Sequence, residues 1–358
     1  MLVSVALAQE GNPHSGSYPP GPPPIVAANY TIRARVFVDS SVIRGDWELE
    51  YQNRTNETLQ ELYLNLPRWK EPKSGQPKSI VCTLDSLLVN GTPSAVMVTK
   101  GDSSSVHIAL EYPLKPLEKL FLLAAFTTRF SPLLMSPSAL DTPSVFTAWH
   151  PSVAIFHKGK WLTGKKVRKN GWPGEFGHIN VALTIDSSFE LVGPGELTNE
   201  VQVYGLLPTP RHDTLVLDIM RAWQKMDPAV PPPSFASGMK TYAWRFRSAR
   251  VFAFALGRNL VCDRAFQSGL AASLWYHRQY AGAPDASSTK LVSDIGEMLV
   301  AETSIQPNTQ ISVVVGKQRG PQVITGGLAV ITVDPKTGSI NRVKSLKAVL
   351  NSLQRQRE

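Results

Sequence analysis

The sequence predicts a mainly β protein, with a large β-sandwich domain followed by a partial α/β unit, and three observations predict it. Apolar residues alternate with polar ones in many short runs across the first two thirds of the chain, the period of strands with one buried face. Twenty-eight prolines and 25 glycines punctuate those runs, which favours strands and turns over helical bundles. Beyond Gly257 the apolar period lengthens toward that of a helix.

The elements follow in order. Met1 to Gln9 reads as the tail of a signal peptide, because a short apolar run ends in Ala6-Leu7-Ala8, although the basic region that usually precedes it is missing. Export to a periplasmic or extracellular space is therefore expected. A Gly-, Ser- and Pro-rich linker closes on Pro22-Pro23-Pro24, so residues 1–27 precede the fold. Ile32, Ala34, Val36 and Val38 alternate with Thr31, Arg33 and Arg35. Trp47, Leu49 and Tyr51 then alternate with Glu48 and Glu50, and Gly45-Asp46 stands between the two runs. Further period-two runs are centred on Leu62–Leu66, Val106–Tyr112, Leu120–Phe126 and Ile179–Ile185. After a Pro-rich stretch from Pro208 to Pro233, aromatic strands return at Tyr242–Phe246 and Val251–Phe254, and the β domain is taken as residues 28–257.

In residues 258–358, Leu291, Val292, Ile295, Met298 and Leu299 share one helical face, with Ser287, Ser288 or Thr289 available as N-cap. Strands follow at Ile311–Val315 and Val323–Val333. An amphipathic helix carrying Val343, Leu346, Leu350 and Leu353 runs to Glu358. The most apolar stretch, Leu120 to Phe126, is far shorter than the ~18 residues of a spanning helix.

A net charge of +9 favours anionic partners without choosing among them. Lys158, Lys160, Lys165, Lys166, Arg168 and Lys169 gather near Phe156, Trp161 and Trp172, a basic, aromatic-bearing loop suited to phosphates or anionic surfaces; a solvated hairpin tip gives the same pattern. Gly159 to Lys166 nearly spells a phosphate loop, but Lys166 replaces the hydroxyl that would hold magnesium. Cys82 and Cys262 leave one disulfide open and exclude a Cys-rich zinc site. Four Asn-x-Thr triplets begin at Asn29, Asn53, Asn56 and Asn90; Asn-Thr turn chemistry accounts for them at least as well as glycosylation.

Gly45 to Asn53, Leu59 to Arg68, Trp149-His150-Pro151, and Ile179 through Glu200, the last being the most specific, together and in this order resemble the membrane alanyl aminopeptidase family of zinc peptidases, the gluzincins. The resemblance implies a saddle-like β domain leading into an incomplete thermolysin-like domain, peptide substrates or a protein partner, and zinc as the family's metal. It also places Trp149, His150, Gly326 and Gly327 at substrate-binding positions.

The family's zinc chemistry needs HExxH on a helix, where two His side chains on one face reach the metal and the Glu acts as base. No HExxH occurs, and the seven histidines contain no i, i+4 pair. Gly326-Gly327-Leu328-Ala329-Val330 resembles the family's Gly-x-Met-Glu strand, with Ala329 where the amine-gripping Glu would stand. Laid on the zinc helix, the last segment puts Asn351 and Arg355 at the His positions and Ser352 at the Glu; a guanidinium, always protonated, cannot ligate zinc. The expectation is thus the N-terminal portion of a zinc aminopeptidase-like protein, inactive as it stands, with neither catalytic residues nor metal ligands of its own. The alternative is an exported, non-enzymatic β-domain binding module that uses the basic loop.

Overall fold

The computed structural model describes residues 26–70, 79–95, 97–99, 102–147, 149–163, 174–204, 238–267, 270–278, 309–316, 322–325 and 328–332. Strand β1 (Ala28–Phe37) turns through Ser41 into β2 (Val42–Gln52), antiparallel with Ala28 opposite Tyr51 and Phe37 opposite Val42. Gly45 faces Ala34 across this pair. A Cβ there would lie 2.3 Å from the Arg33 carbonyl oxygen, so only glycine lets the two strands approach this closely.

Strands β3 (Leu59–Asn65), β4 (Arg68–Lys70), β5 (Ser79–Val89), β6 (Thr92–Pro93), β7 (Met97–Thr99), β8 (Asp102–Leu114) and β9 (Lys119–Phe130) follow. Asn90 and Gly91, at φ 50° and 83°, form the two-residue turn between β5 and β6. A short helix, α1 (Pro132–Met135), leads to β10 (Ser144–Phe146), β11 (Ser152–Val153), β12 (Ile155–His157) and β13 (Lys160–Leu162). Then come β14 (Gly177–Asp186), β15 (Phe189–Val192), β16 (Glu196–Leu197), α2 (Glu200–Tyr204), β17 (Met239–Ala249) and β18 (Phe254–Arg258).

Eight of these strands run in the order β16-β17-β14-β1-β2-β9-β5-β4, and β6 pairs with β5 to complete a nine-stranded sheet. It is antiparallel except where β1 meets β14. One face carries Ile32, Trp47, Leu49, Leu122, Phe126, Val181, Leu183, Tyr242 and Trp244, all buried. They share one core with Leu62 and Leu64 of β3, Val106 and Ile108 of β8, and Phe146, Leu191, Phe254 and Leu256 of β10, β15 and β18. The large sheet is therefore covered on that face by a four-stranded sheet (β11-β3-β8-β7) and a three-stranded sheet (β10-β18-β15). The fold is mainly β, as the alternating runs require.

Past Asn259, at φ 51°, the chain enters a five-stranded sheet of β19 (Leu260–Gln267), β20 (Leu270–His277), β21 (Thr309–Gly316), β22 (Gln322–Thr325) and β23 (Leu328–Thr332), ordered β19-β20-β21-β23-β22. The β20-β21 and β21-β23 pairs are parallel. Val192, Ala253 and Ala255 of the first unit pack with Trp275 and Val314 of the second, and the Ser312 hydroxyl donates to the Gly193 carbonyl at 3.0 Å.

Two strand boundaries differ from the sequence reading. The run expected at Val323–Val333 is two antiparallel strands with Thr325 opposite Leu328. The strand expected at Val251–Phe254 begins at Phe254; Val251, Phe252 and Ala253 are buried without belonging to a sheet. The helices expected around Leu291 to Leu299 and Val343 to Leu353 lie outside the described residues, as do residues 1–25 and most of the Pro-rich stretch.

Candidate functional site

The Trp149-His150-Pro151 segment crosses from β10 to β11 beneath the large sheet. The Thr128 hydroxyl on β9 donates to the Trp149 carbonyl at 2.8 Å, and the Trp149 indole N–H donates to the Phe252 carbonyl at 2.7 Å. Rings of Phe126, His150, Phe252 and Phe254 surround the indole, with centroids 4.9–6.4 Å away. Both Trp149 and His150 are buried. Of the four substrate positions implied by the resemblance, these two stand together in the sandwich core, whereas Gly326 and Gly327 lie outside the described residues. Ala329 sits at the centre of its strand, opposite Val313 on one side and Val323 on the other.

His150 Nδ1 lies 2.8 Å from the Pro151 carbonyl. A carbonyl only accepts, so Nδ1 carries the proton and Nε2 is left as an acceptor, with no hydrogen-bond partner among the described residues. Burial holds this imidazole at about 4, well below its usual range, and so keeps it neutral.

Ionisable groups collect around neighbouring Tyr30. The Val153 N–H donates to the Tyr30 hydroxyl at 3.1 Å, and the Tyr30 ring stands 5.9 Å from Trp47 and 6.4 Å from His150. Burial raises the Tyr30 and Tyr51 phenols, and the charge of nearby Glu175 raises both further. Burial also raises Glu175 itself; Arg250 and the backbone groups of Phe176 and Phe156 oppose that shift. Arg250 donates to the Gly174 carbonyl at 2.9 Å and lies 4.0 Å over the Phe176 ring. Tyr30, Tyr51, Glu175 and Arg250 were not singled out from the sequence. The available signal was weak: ionisable residues beside predicted strand ends, with nothing in the spacing to show that the strands converge.

From this end of the sandwich projects the β12–β13 hairpin, turned by Lys158 and Gly159 at φ 49° and 73°. Lys158 and Lys160 are exposed at its tip; Lys165, Lys166, Arg168, Lys169 and Trp172 lie outside the described residues. The hairpin's aromatic side packs inward, with Phe156 5.0 Å from Trp161, Trp161 6.1 Å from Tyr63, and Tyr63 5.0 Å from His107. His107 Nε2 and Glu61 Oε2 are 2.7 Å apart on the adjoining strands.

Cys82, buried on β5, and Cys262, half-buried on β19, are not joined in a disulfide. The Asn53 side chain is also buried: its amide donates to the Glu57 and Leu114 carbonyls at 2.8 and 2.9 Å, and its oxygen accepts from the Thr55 N–H and hydroxyl. That Asn-x-Thr triplet is turn chemistry. Among the described residues, no three His, Cys, Asp or Glu side chains converge as metal ligands, so the described residues do not fit a catalytic zinc.

No family model matches the sequence, and no curated protein matches it. Among solved structures, the chain is similar to an M1 zinc metallopeptidase from Deinococcus radiodurans, with a TM-score of 0.53 and 14% identity over 91% of this chain and 64% of that one. A Glu-to-Ala variant of that peptidase gives 0.52 and 15% over 90% and 63%. A two-domain M1 zinc metallopeptidase variant bound to L-arginine gives 0.52 and 14% over 91% and 64%. At such identities the likeness is one of fold. The chain spans a little under two thirds of the length of these structures.

Proposed function

We propose that this chain is the N-terminal portion of a zinc aminopeptidase-like metallopeptidase, in which the sandwich is the scaffold flanking a peptide substrate, and that these 358 residues alone do not hydrolyse peptides. The observation that carries the reading is a likeness to M1 zinc metallopeptidases that runs through both the sandwich and the five-stranded sheet, covering 90% of the chain. The ordered stretches from Gly45 to Glu200 support the membrane alanyl aminopeptidase branch as the finer assignment, and Ala6-Leu7-Ala8 supports export.

Inactivity follows from chemistry. In this family a bound zinc lowers the pKa of the hydrolytic water and a neighbouring base takes its proton, and the paired imidazoles that would seat zinc are missing. His150 cannot stand in. It is neutral and sealed in an apolar core, with one nitrogen committed to Pro151. Trp149 pins the β10–β11 crossing to β9 and to the 251–253 segment, and His150 packs against its ring.

The test is zinc content and aminoacyl-anilide turnover of the purified chain. Turnover at background, with no zinc retained after gel filtration, is the expected result. Stoichiometric zinc with chelator-sensitive turnover would refute the proposal.

A further inference from the structure

On the solvent face of the nine-stranded sheet, opposite the core, lies a groove of about 160 Å³ over β1, β14 and β17. Its floor is low because Ala182 and Ala243 stand directly opposite each other in the β14–β17 register. Arg33, opposite Ala182 on the β1 side, forms one flank; Arg245, opposite Asn180, forms the other. Asn180 in turn faces Thr31 across the β1–β14 pair. One end is closed by the chain at Thr198, whose N–H and hydroxyl both bind the Ala243 carbonyl, at 2.7 and 3.0 Å.

Among the described residues, the polar side chains lining this groove are two guanidiniums, one amide and two hydroxyls, with no carboxylate. Two partners stand outside: Glu48 holds Arg33 at 2.5 Å and Glu196 lies 3.9 Å from Arg245. All four side chains are 45–60% exposed, so these ion pairs contribute little and yield readily to a competing anion. Guanidinium forks match the paired oxygens of a carboxylate or phosphate, and an amide beside them adds a donor for a further oxygen. The volume accommodates a single oxyanion group with a few attached atoms, well below a drug-sized ligand. The net charge of +9 brings such ligands toward the chain from any direction.

We propose that this groove is a binding site for the oxyanion of a small molecule, a carboxylate or a phosphate, gripped between Arg33 and Arg245. The site lies on the face turned away from Trp149 and His150, so it stands independently of the peptidase reading.

Isothermal titration of the full chain at constant ionic strength tests it, using inorganic phosphate in one arm and glutarate in the other. One saturable site for at least one of the two anions is expected, and the tighter of them identifies the headgroup. Arg33→Gln and Arg245→Gln should each weaken it about tenfold, the scale of one charge-assisted contact. Arg44→Gln, on the same face but outside the groove, should leave it unchanged. Because these side chains are exposed, circular dichroism should show all three variants folded. The proposal is overturned if neither anion saturates, or if Arg44→Gln weakens binding as much as Arg245→Gln does.

Discussion

Replacing Trp149 with Phe isolates what the buried Trp149-His150-Pro151 crossing contributes. The change removes the indole N–H that donates to the Phe252 carbonyl at 2.7 Å, in a setting where Trp149 and Phe252 are both 0% exposed. An orphaned buried carbonyl costs about 1–3 kcal/mol. The smaller ring also withdraws contact from Phe126, Phe252 and Phe254, which adds roughly 1–2 kcal/mol for lost burial and the cavity left behind. The sum is roughly 2–5 kcal/mol, or a fall in Tm of about 5–15 °C for a unit of this size. Thr128→Val removes the other anchor, the hydroxyl bond to the Trp149 carbonyl, and leaves an isosteric methyl in its place. Because both bonds hold one short segment, the double variant should lose less than the two single losses added together. Thermal unfolding followed by far-ultraviolet circular dichroism reads all three. A Trp149→Phe variant within 2 °C of wild type would show that the crossing is not pinned as described.

The other predictions concern protons and a turn. His150 is held at about 4 in the folded chain against an ordinary value near 6.5, so the unfolded chain binds its proton first. Stability should therefore fall as pH drops from about 6.5 to about 4, by up to roughly 3 kcal/mol, and His150→Leu should flatten that slope in urea titrations at stepped pH. Glu175 acts with the opposite sign: its raised carboxyl means that acidification through its folded pKa is stabilising, so Glu175→Gln should steepen the same slope. Slopes identical to wild type in both variants would contradict the burial of these two groups. Asn53→Ala should cost roughly 2–4 kcal/mol, since it strips partners from the Glu57 and Leu114 carbonyls, whereas exposed Asn56→Ala should cost under about 0.5 kcal/mol. Equal Tm values for the two variants would rule that assignment out.

Strands that bury one face on the large sheet were legible because their side chains must alternate. Ile32 to Val38, Trp47 to Tyr51 and Ile179 to Ile185 were each placed on the correct face from sequence alone. Strand β5 was not. It lies next to the sheet's edge, and a bulge between Leu84 and Ser86 shifts its register, so the apolar period breaks in the middle. Strands β19 and β20 were missed for a related reason: LVCDRAFQ and LAASLWYH mix small and polar residues without clean alternation. The candidate site was less legible still. Trp149 and His150 could be named from their motif, but their burial depends on Phe126, Phe252 and Phe254, which arrive from distant strands and loops, Phe252 from 103 residues away along the chain. The outer groove had no motif at all, since its two arginines belong to β1 and β17 and meet only through β14.

That a fold can persist at 14–15% identity follows from which positions geometry constrains. A half-buried strand asks only that alternate side chains be apolar and of about the right size, so most core positions can drift. Few sites allow no such freedom. Gly45 is one, because any Cβ would strike the Arg33 carbonyl; Gly193 is another, because a Cβ there would come within 2.8 Å of both Trp244 and Phe252. Gly193 also accepts the hydroxyl bond from Ser312, so the turn that leaves β15 is fixed at once to the sandwich core and to the five-stranded sheet. Around it, Val192 and Ala255 pack with Trp275 and Val314. A change at this turn must therefore satisfy two cores together, and the path from β15 to β16 is held more tightly by packing than by sequence pattern.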